Sequence, residues 1–73
     1  MKYQYKVQVT YKNSNGIEKQ KELMACSTIS PSDMNKQDDS PYSSFVHFRS
    51  MILDTHFEKE REHIISFDAT LIN

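Results

Sequence analysis

Seventy-three residues with a formal net charge of −1 form one small domain, and so short a chain has a core near the lower limit for independent folding. The near-neutral charge excludes a large basic footprint for nucleic acid, and Cys26, the only cysteine, excludes a disulfide within the chain. With no apolar stretch near the roughly 20 residues that span a bilayer and no secretory signal pattern, we expect a cytoplasmic protein that does not span a membrane.

Side-chain character alternates strictly through residues 2–12. The even positions are polar, and the odd positions hold apolar or aromatic side chains: Tyr3, Tyr5, Val7, Val9 and Tyr11. Because successive side chains of a strand point to opposite faces, this period of two predicts a half-buried β-strand over residues 2–12.

A turn signal at residues 13–16 leads into a second predicted strand over residues 17–28. A two-residue turn would place Lys12 opposite Lys19, whereas a three-residue loop with its glycine in the left-handed conformation places Lys12 opposite Glu18. Opposite charges that face each other stabilise a strand pair, so we predict the three-residue loop.

Residues 29–40 are predicted to be a polar loop that contains both signals for a helix start. Ser30, followed by proline, is typical of a helix cap, and we expect one or two helical turns after it. Ser40, again followed by proline, repeats the signal and predicts a longer helix over residues 41–57.

Two apolar stripes follow the predicted helix at about 100° per residue. The first stripe is Phe45, Phe48, Met51 and Ile52, and the second is Tyr42, Val46, Leu53 and Phe57, with Arg49 between the two. One stripe is enough for a helix that lies on a sheet, so the second predicts another covered surface. A competing interpretation makes residues 45–53 a strand, because Phe, Val and Ile favour strands.

Alternation returns over residues 63–72 and predicts a third strand. A right-handed crossover then gives an α+β fold of order β-β-α-β, with an antiparallel sheet of strand order 2-1-3 and one helix on one face. A β-grasp-like fold, with the third strand parallel to the first, is the alternative. The predicted core is Tyr5, Val7, Val9, Leu23, Ala25, Phe45, Phe48, Ile52, Ile65, Phe67 and Leu71.

No motif in the chain points to catalysis, a metal or a cofactor. His56 and His63 are seven residues apart, and His47 lies on a different side of the predicted helix, so none has the spacing of a helical metal site. Gly16 is the only glycine, which excludes a glycine-rich phosphate loop. We therefore expect a protein that is not an enzyme.

Two binding functions compete. The even face of the first strand presents Lys2, Lys6 and Lys12, and lysines at such spacing can neutralise phosphates, so a nucleic-acid-binding module is the alternative hypothesis. Glu18 and Glu22 on the neighbouring strand weaken it, because carboxylates repel a phosphate backbone.

Protein binding is the preferred hypothesis. The second helix stripe, a small core and two exposed strand edges all favour a partner, either another protein or a second copy that forms a homodimer. Charged residues partly protect the edge of the second strand, whereas the edge of the last strand is less protected. The predicted interface is therefore either this last edge or the helix residues Tyr42, Val46, Arg49, Leu53 and Phe57. We expect a stoichiometric regulator or inhibitor, and its small size is typical of such proteins from phages and mobile elements.

Overall fold

A computed structural model describes residues 2–72, with the main chain alone at Glu62. Its elements in chain order are strands β1 (Tyr3–Lys12) and β2 (Glu18–Ser27), helices α1 (Pro31–Lys36) and α2 (Ser44–His56), a 3₁₀ helix (Arg61–His63) and strand β3 (Ile64–Leu71). The strands form one antiparallel sheet in the order β2-β1-β3. The predicted α+β class and strand order are confirmed, and the antiparallel β1–β3 pair excludes the β-grasp alternative.

The connection between β1 and β2 is the predicted three-residue loop. The N–H of Asn13 donates to the carbonyl of Ile17 at 3.0 Å, and the N–H of Gly16 donates to the carbonyl of Asn13 at 3.0 Å. Gly16 has a φ of +76°, which a residue without a Cβ adopts at little steric cost. The resulting register places Lys12 opposite Glu18, as the charge pattern predicts.

The polar segment after β2 contains a short helix that is anchored in the core. Ser30 caps α1 through its side-chain oxygen, which accepts the N–H of Asp33, and proline occupies the first turn. Met34 is only 1% exposed, although its polar surroundings in the sequence give little sign of an apolar anchor. α1 packs against β3, so the segment crosses from one edge of the sheet to the other.

Helix α2 begins three residues later than predicted. Ser43, not Ser40, is its cap and accepts the N–H of Val46, while the N–H of Ser40 donates to the carboxylate of Asp38 in the preceding turn. Both serines have side chains that can cap. The proline signal at residue 41 therefore marks this turn instead of the first turn of the helix.

The core lies between the odd-residue face of β1 and the two helices. Within residues 2–72, ten hydrophobic side chains are buried: Tyr5, Val7, Val9, Met34, Phe45, Phe48, Ile52, Leu53, Phe57 and Ala69. Leu23, Ala25 and Phe67, which the sequence also predicts, are partly buried against this cluster.

The prediction that Ile65 and Leu71 belong to the core is wrong, because they are 50% and 42% exposed. Thr10 pairs with Ser66 but Tyr11 pairs with Ile64, so Ile65 is the extra residue of a β-bulge. A bulge changes which side chains face the core, and Ile64 packs against the core instead. Leu71 ends β3, where the sheet ends.

We expect Met34→Ala to lower the free energy of unfolding by about 2–4 kcal/mol, because it removes a buried side chain and leaves a cavity. Met51→Ala is the matched control. Met51 is 54% exposed, so its truncation should change stability by less than about 0.5 kcal/mol. Urea unfolding measures both, and equal effects would contradict the anchoring of α1 by Met34.

Tyr5 joins β1 to the loop after β2, and its hydroxyl donates to the carbonyl of Ile29. Burial raises the pKa of this hydroxyl above its usual 10.0, with smaller contributions from Tyr3 and Asp33. The neutral hydroxyl is therefore favoured in the folded state. Its stabilisation is complete below pH 10 and is lost as the pH rises through the raised pKa.

We expect Tyr5→Phe to lower the free energy of unfolding by about 1 kcal/mol at pH 7, since it removes one hydrogen bond. That deficit should shrink towards pH 11, where the wild-type hydroxyl ionises and the variant has none to ionise. Urea unfolding at both pH values measures the deficit. A deficit that is constant with pH would contradict the assigned role of the Tyr5 proton.

Candidate functional site

In each of the outer strands, β2 and β3, every second residue has main-chain N–H and C=O groups that form no hydrogen bond with β1. The Asn13–Ile17 hydrogen bond means that odd residues of β1 and β2 bond each other, because hydrogen-bonded and non-bonded pairs alternate in an antiparallel ladder. The N–H and C=O groups of the even residues of β2 therefore point outward. On the other side, the N–H of Ile72 donates to the carbonyl of Gln4, so odd residues of β3 point outward.

The outer edge of β3 is covered by the end of helix α1. Gln37 caps α1 in the left-handed conformation, and its side-chain amide donates to the carboxylate of Asp68 at 3.1 Å. Asp68 lies on the sheet face opposite the helices, while α1 lies on the helix side. The Gln37 side chain therefore passes around the edge of β3 and obstructs strand addition there.

The outer edge of β2 has no such cover among the described residues. Five residues direct their main-chain groups outward along it: Glu18, Gln20, Glu22, Met24 and Cys26. The half near the hairpin is charged, whereas the other half contains Leu23, Met24 and Ala25, of which Met24 is 56% exposed. Charge discourages strand pairing along the first half only, so the second half is the more open edge.

A groove of about 300 Å³ adjoins the open half of β2 on the helix side. Its lining comes from the end of β2, the loop after it and one side of α2: Ser27, Thr28, Ile29, Ser44, His47, Phe48 and Met51. A strand added to β2 would direct every second side chain towards the helix layer. The edge and the groove together form the β2-edge site.

The predicted helix interface does not form one surface. Leu53 and Phe57 are 7% and 1% exposed and belong to the core, so they are unavailable to a partner of the folded chain. This corrects their assignment: the half of the second stripe that contains Leu53 and Phe57 is covered within the chain. Val46 is partly buried, whereas Tyr42 is 91% exposed. Tyr42 precedes α2, which begins at Ser44, and Val46 lies in the first turn of the helix.

Arg49, the charged member of the predicted interface, already has partners within the chain. Its guanidinium donates to the carboxylate of Asp39 at 3.1 Å and lies 5.5 Å from the ring centre of Phe45. These contacts join α2 to the loop before it. Tyr42 and Phe45 also line a cavity of about 310 Å³ beside this loop.

The lysines of the proposed nucleic-acid face are offset by acidic neighbours. Lys6 forms an ion pair with Glu22 at 3.5 Å, and Lys12 lies opposite Glu18, while Lys2 is exposed. The lysines remain on the uncovered face of the sheet. A phosphate backbone there would meet as many carboxylates as ammonium groups once Asp68 is included.

The histidines are all exposed: His47 and His56 lie nine residues apart on α2, and His63 ends the 3₁₀ helix. Apart from the Glu62 side chain, residues 2–72 contain no group of three or more His, Cys, Asp or Glu side chains that could hold a metal ion. No helix within the same residues is long and apolar enough to cross a membrane.

Comparison with known protein families, curated proteins and solved structures found no significant match to this chain. In the sequence, the apolar run at residues 23–25 was a visible signal for the β2-edge site. The groove had no such signal, because the loop after β2 and the side of α2 meet only in the fold.

We expect no saturable binding to a single-stranded DNA of about 20 nucleotides at about 50 mM salt, because the acidic neighbours cancel the lysine charge. A Glu18→Gln/Glu22→Gln variant should gain binding that weakens as salt rises. Fluorescence anisotropy measures both. Wild-type binding that falls with salt and disappears in Lys2→Glu/Lys6→Glu/Lys12→Glu would support the nucleic-acid hypothesis instead.

Proposed function

We propose that this protein is a non-enzymatic regulator or inhibitor that binds a protein partner stoichiometrically by strand addition at the β2-edge site. One observation carries the proposal: β2 is an unobstructed edge strand of ten residues, while Gln37 obstructs the opposite edge. An extended segment of a partner would continue the sheet through main-chain hydrogen bonds.

The groove beside β2 supports the same mode of binding. In strand addition, main-chain hydrogen bonds supply affinity and pockets for alternate side chains supply specificity. The groove offers apolar contacts from Ile29, Phe48 and Met51, together with the imidazole of His47. We therefore infer a partner strand that carries an apolar side chain on its helix-facing side.

The small size of the core supports a function in which the protein binds a partner. Ten buried hydrophobic side chains hold the described part of the chain together, and proteins with so small a core gain stability from a partner. The free, exposed thiol of Cys26 supports a reducing, cytoplasmic setting for this binding. A phage or mobile-element origin remains a prediction from size alone.

Met24 offers a direct test of strand addition. Its N–H points away from β1, so Met24→Pro removes an outward donor without removing a β1–β2 hydrogen bond, and proline is compatible with an edge strand. We expect this variant to bind the partner at least about tenfold more weakly, which corresponds to one lost hydrogen bond and its unpaired acceptor. Met24→Ala, which keeps the N–H, should stay within about threefold.

The measurement is capture of a partner by the tagged protein, with the stoichiometry read by native mass spectrometry and the affinity by titration. Circular dichroism and urea unfolding establish that both variants fold. If a folded Met24→Pro protein binds its partner as tightly as wild type, or if no protein in any form is captured, the proposed function is wrong.

A further inference from the structure

We propose that a second copy of this chain occupies the β2-edge site, with the two β2 strands paired antiparallel about a two-fold axis at Met24. The proposal rests on the proposed function, because it names the partner of the same site. The product would be a continuous six-stranded sheet. All four helices would cover one face of it, because a two-fold axis perpendicular to a sheet keeps both helix layers on the same side.

The charge pattern of β2 eliminates most registers. Two-fold pairing places residues at equal distances from the axis opposite each other. An axis at Gln20 would place Glu18 opposite Glu22 and also pair two lysines. An axis at Lys21 or Glu22 would place that residue opposite its own copy. Like charges directly opposite each other destabilise a sheet, so axes at residues 18–22 are excluded. Axes at residues 23–26 remain, and an axis at Cys26 would pair only residues 25–27 of β2, which ends at Ser27.

Side-chain matching then selects Met24 within that range. An axis at Met24 places Leu23 opposite the second copy's Ala25 on the helix side, and Met24 opposite Met24 on the other side. The flanking pairs join Glu22 to Cys26 and Lys21 to Ser27, so no charged residue faces an apolar one. An axis at Leu23 would instead place Lys21 opposite Ala25 and Glu22 opposite Met24.

Main-chain direction fits the same axis. Met24 directs its N–H and C=O outward, so an axis at this residue makes a reciprocal hydrogen-bonded pair with its own copy. An axis at Leu23 or Ala25 would also allow a ladder, with a non-hydrogen-bonded pair at its centre, so side-chain matching separates these axes: an axis at Ala25 would place Leu23 opposite Ser27. An axis midway between two residues would place a residue whose N–H and C=O point outward opposite one whose groups point towards β1. No hydrogen bonds would then form between the two edges.

The exposed apolar side chains near this edge gain cover in the dimer. Met24 and Met51 are 56% and 54% exposed in the single chain, and Leu23 and Ala25 are only partly buried. Met51 lines the groove on the β2 side of α2. Joining the two sheets at β2 brings the two α2 helices towards each other on this side.

Cysteine pairing tests the register. With the axis at Met24, Glu22→Cys lies opposite the native Cys26 of the second copy, and hydrogen-bonded antiparallel pairs have Cα atoms about 5.5 Å apart, which suits a disulfide. We expect mild oxidation to convert most of this variant into a covalent dimer. Gln20→Cys is the matched control on the same face and edge, and it should cross-link no more than wild type.

Light scattering completes the test. The wild-type chain should have the mass of two chains, and Met24→Pro should have the mass of one. Cross-linking of Gln20→Cys in place of Glu22→Cys would overturn the stated register, since that pair requires an axis at Leu23. A monomeric wild type with no Glu22→Cys cross-link would overturn the second-copy proposal altogether.

The outcomes separate this inference from the proposed function. If the wild type is monomeric but Met24→Pro still weakens binding to a different protein, the second-copy proposal fails and the proposed function stands. If Met24→Pro changes neither the mass nor any binding, both are wrong.

Discussion

The odd-numbered face of β1 determines where everything else in the molecule lies. Tyr5, Val7 and Val9 are at most 1% exposed, because β1 has a strand on each side and the helix layer above it. The period of two that buries these side chains sends their polar neighbours to the other face. One face of the sheet is therefore covered and the other is not, and binding must use the uncovered face, the helix surfaces or the edges.

The path of the chain after β2 covers one edge of the sheet and leaves the other edge open. To reach α2, the segment crosses from the β2 edge to the β3 edge, and Met34 anchors it there in the core. Gln37 then bonds Asp68 across the outer side of β3. Because the segment crosses over to β3, it leaves the outer edge of β2 uncovered by any other described residue. The open edge is a consequence of topology, and the local composition of β2 determines only how that edge is used.

The features that the sequence predicted correctly depend on pairs of residues that meet locally. The hairpin register followed from the attraction of Lys12 and Glu18, which are near in the chain, and Ser30 caps the helix that begins at the next residue. The prediction that Leu53 and Phe57 belong to an interface is wrong for a different reason. Periodicity reports which side of a helix Leu53 and Phe57 occupy, but it contains no information about which distant segment covers that side.

The bulge in β3 and the anchor in α1 show the same limit. Ile65 follows the alternating pattern of a core residue, and only the pairing of β3 with β1 reveals that it is the extra residue. Met34 is one apolar residue in a polar segment, and its burial depends on where the crossover places it. The alternation of β1 predicts the open face, but the charge pattern favoured the edge of β3 over that of β2, because the segment that crosses to β3 is visible only in the fold. The groove could not be predicted either, because it requires the tertiary fold.

The distribution of charge along β2 has a consequence for specificity. Exposed ion pairs such as Lys6–Glu22, with both side chains about half exposed, contribute at most about 1 kcal/mol, so the charged half adds little to folding stability. Its effect on association is larger, because every two-fold register centred on one of its residues places at least one pair of like charges opposite each other. The apolar half has no such penalty and adds contact area. Repulsion along the charged half of β2 and attraction along its apolar half restrict strand pairing to a narrow range of registers. In this way the edge strand selects one partner geometry and rejects the others.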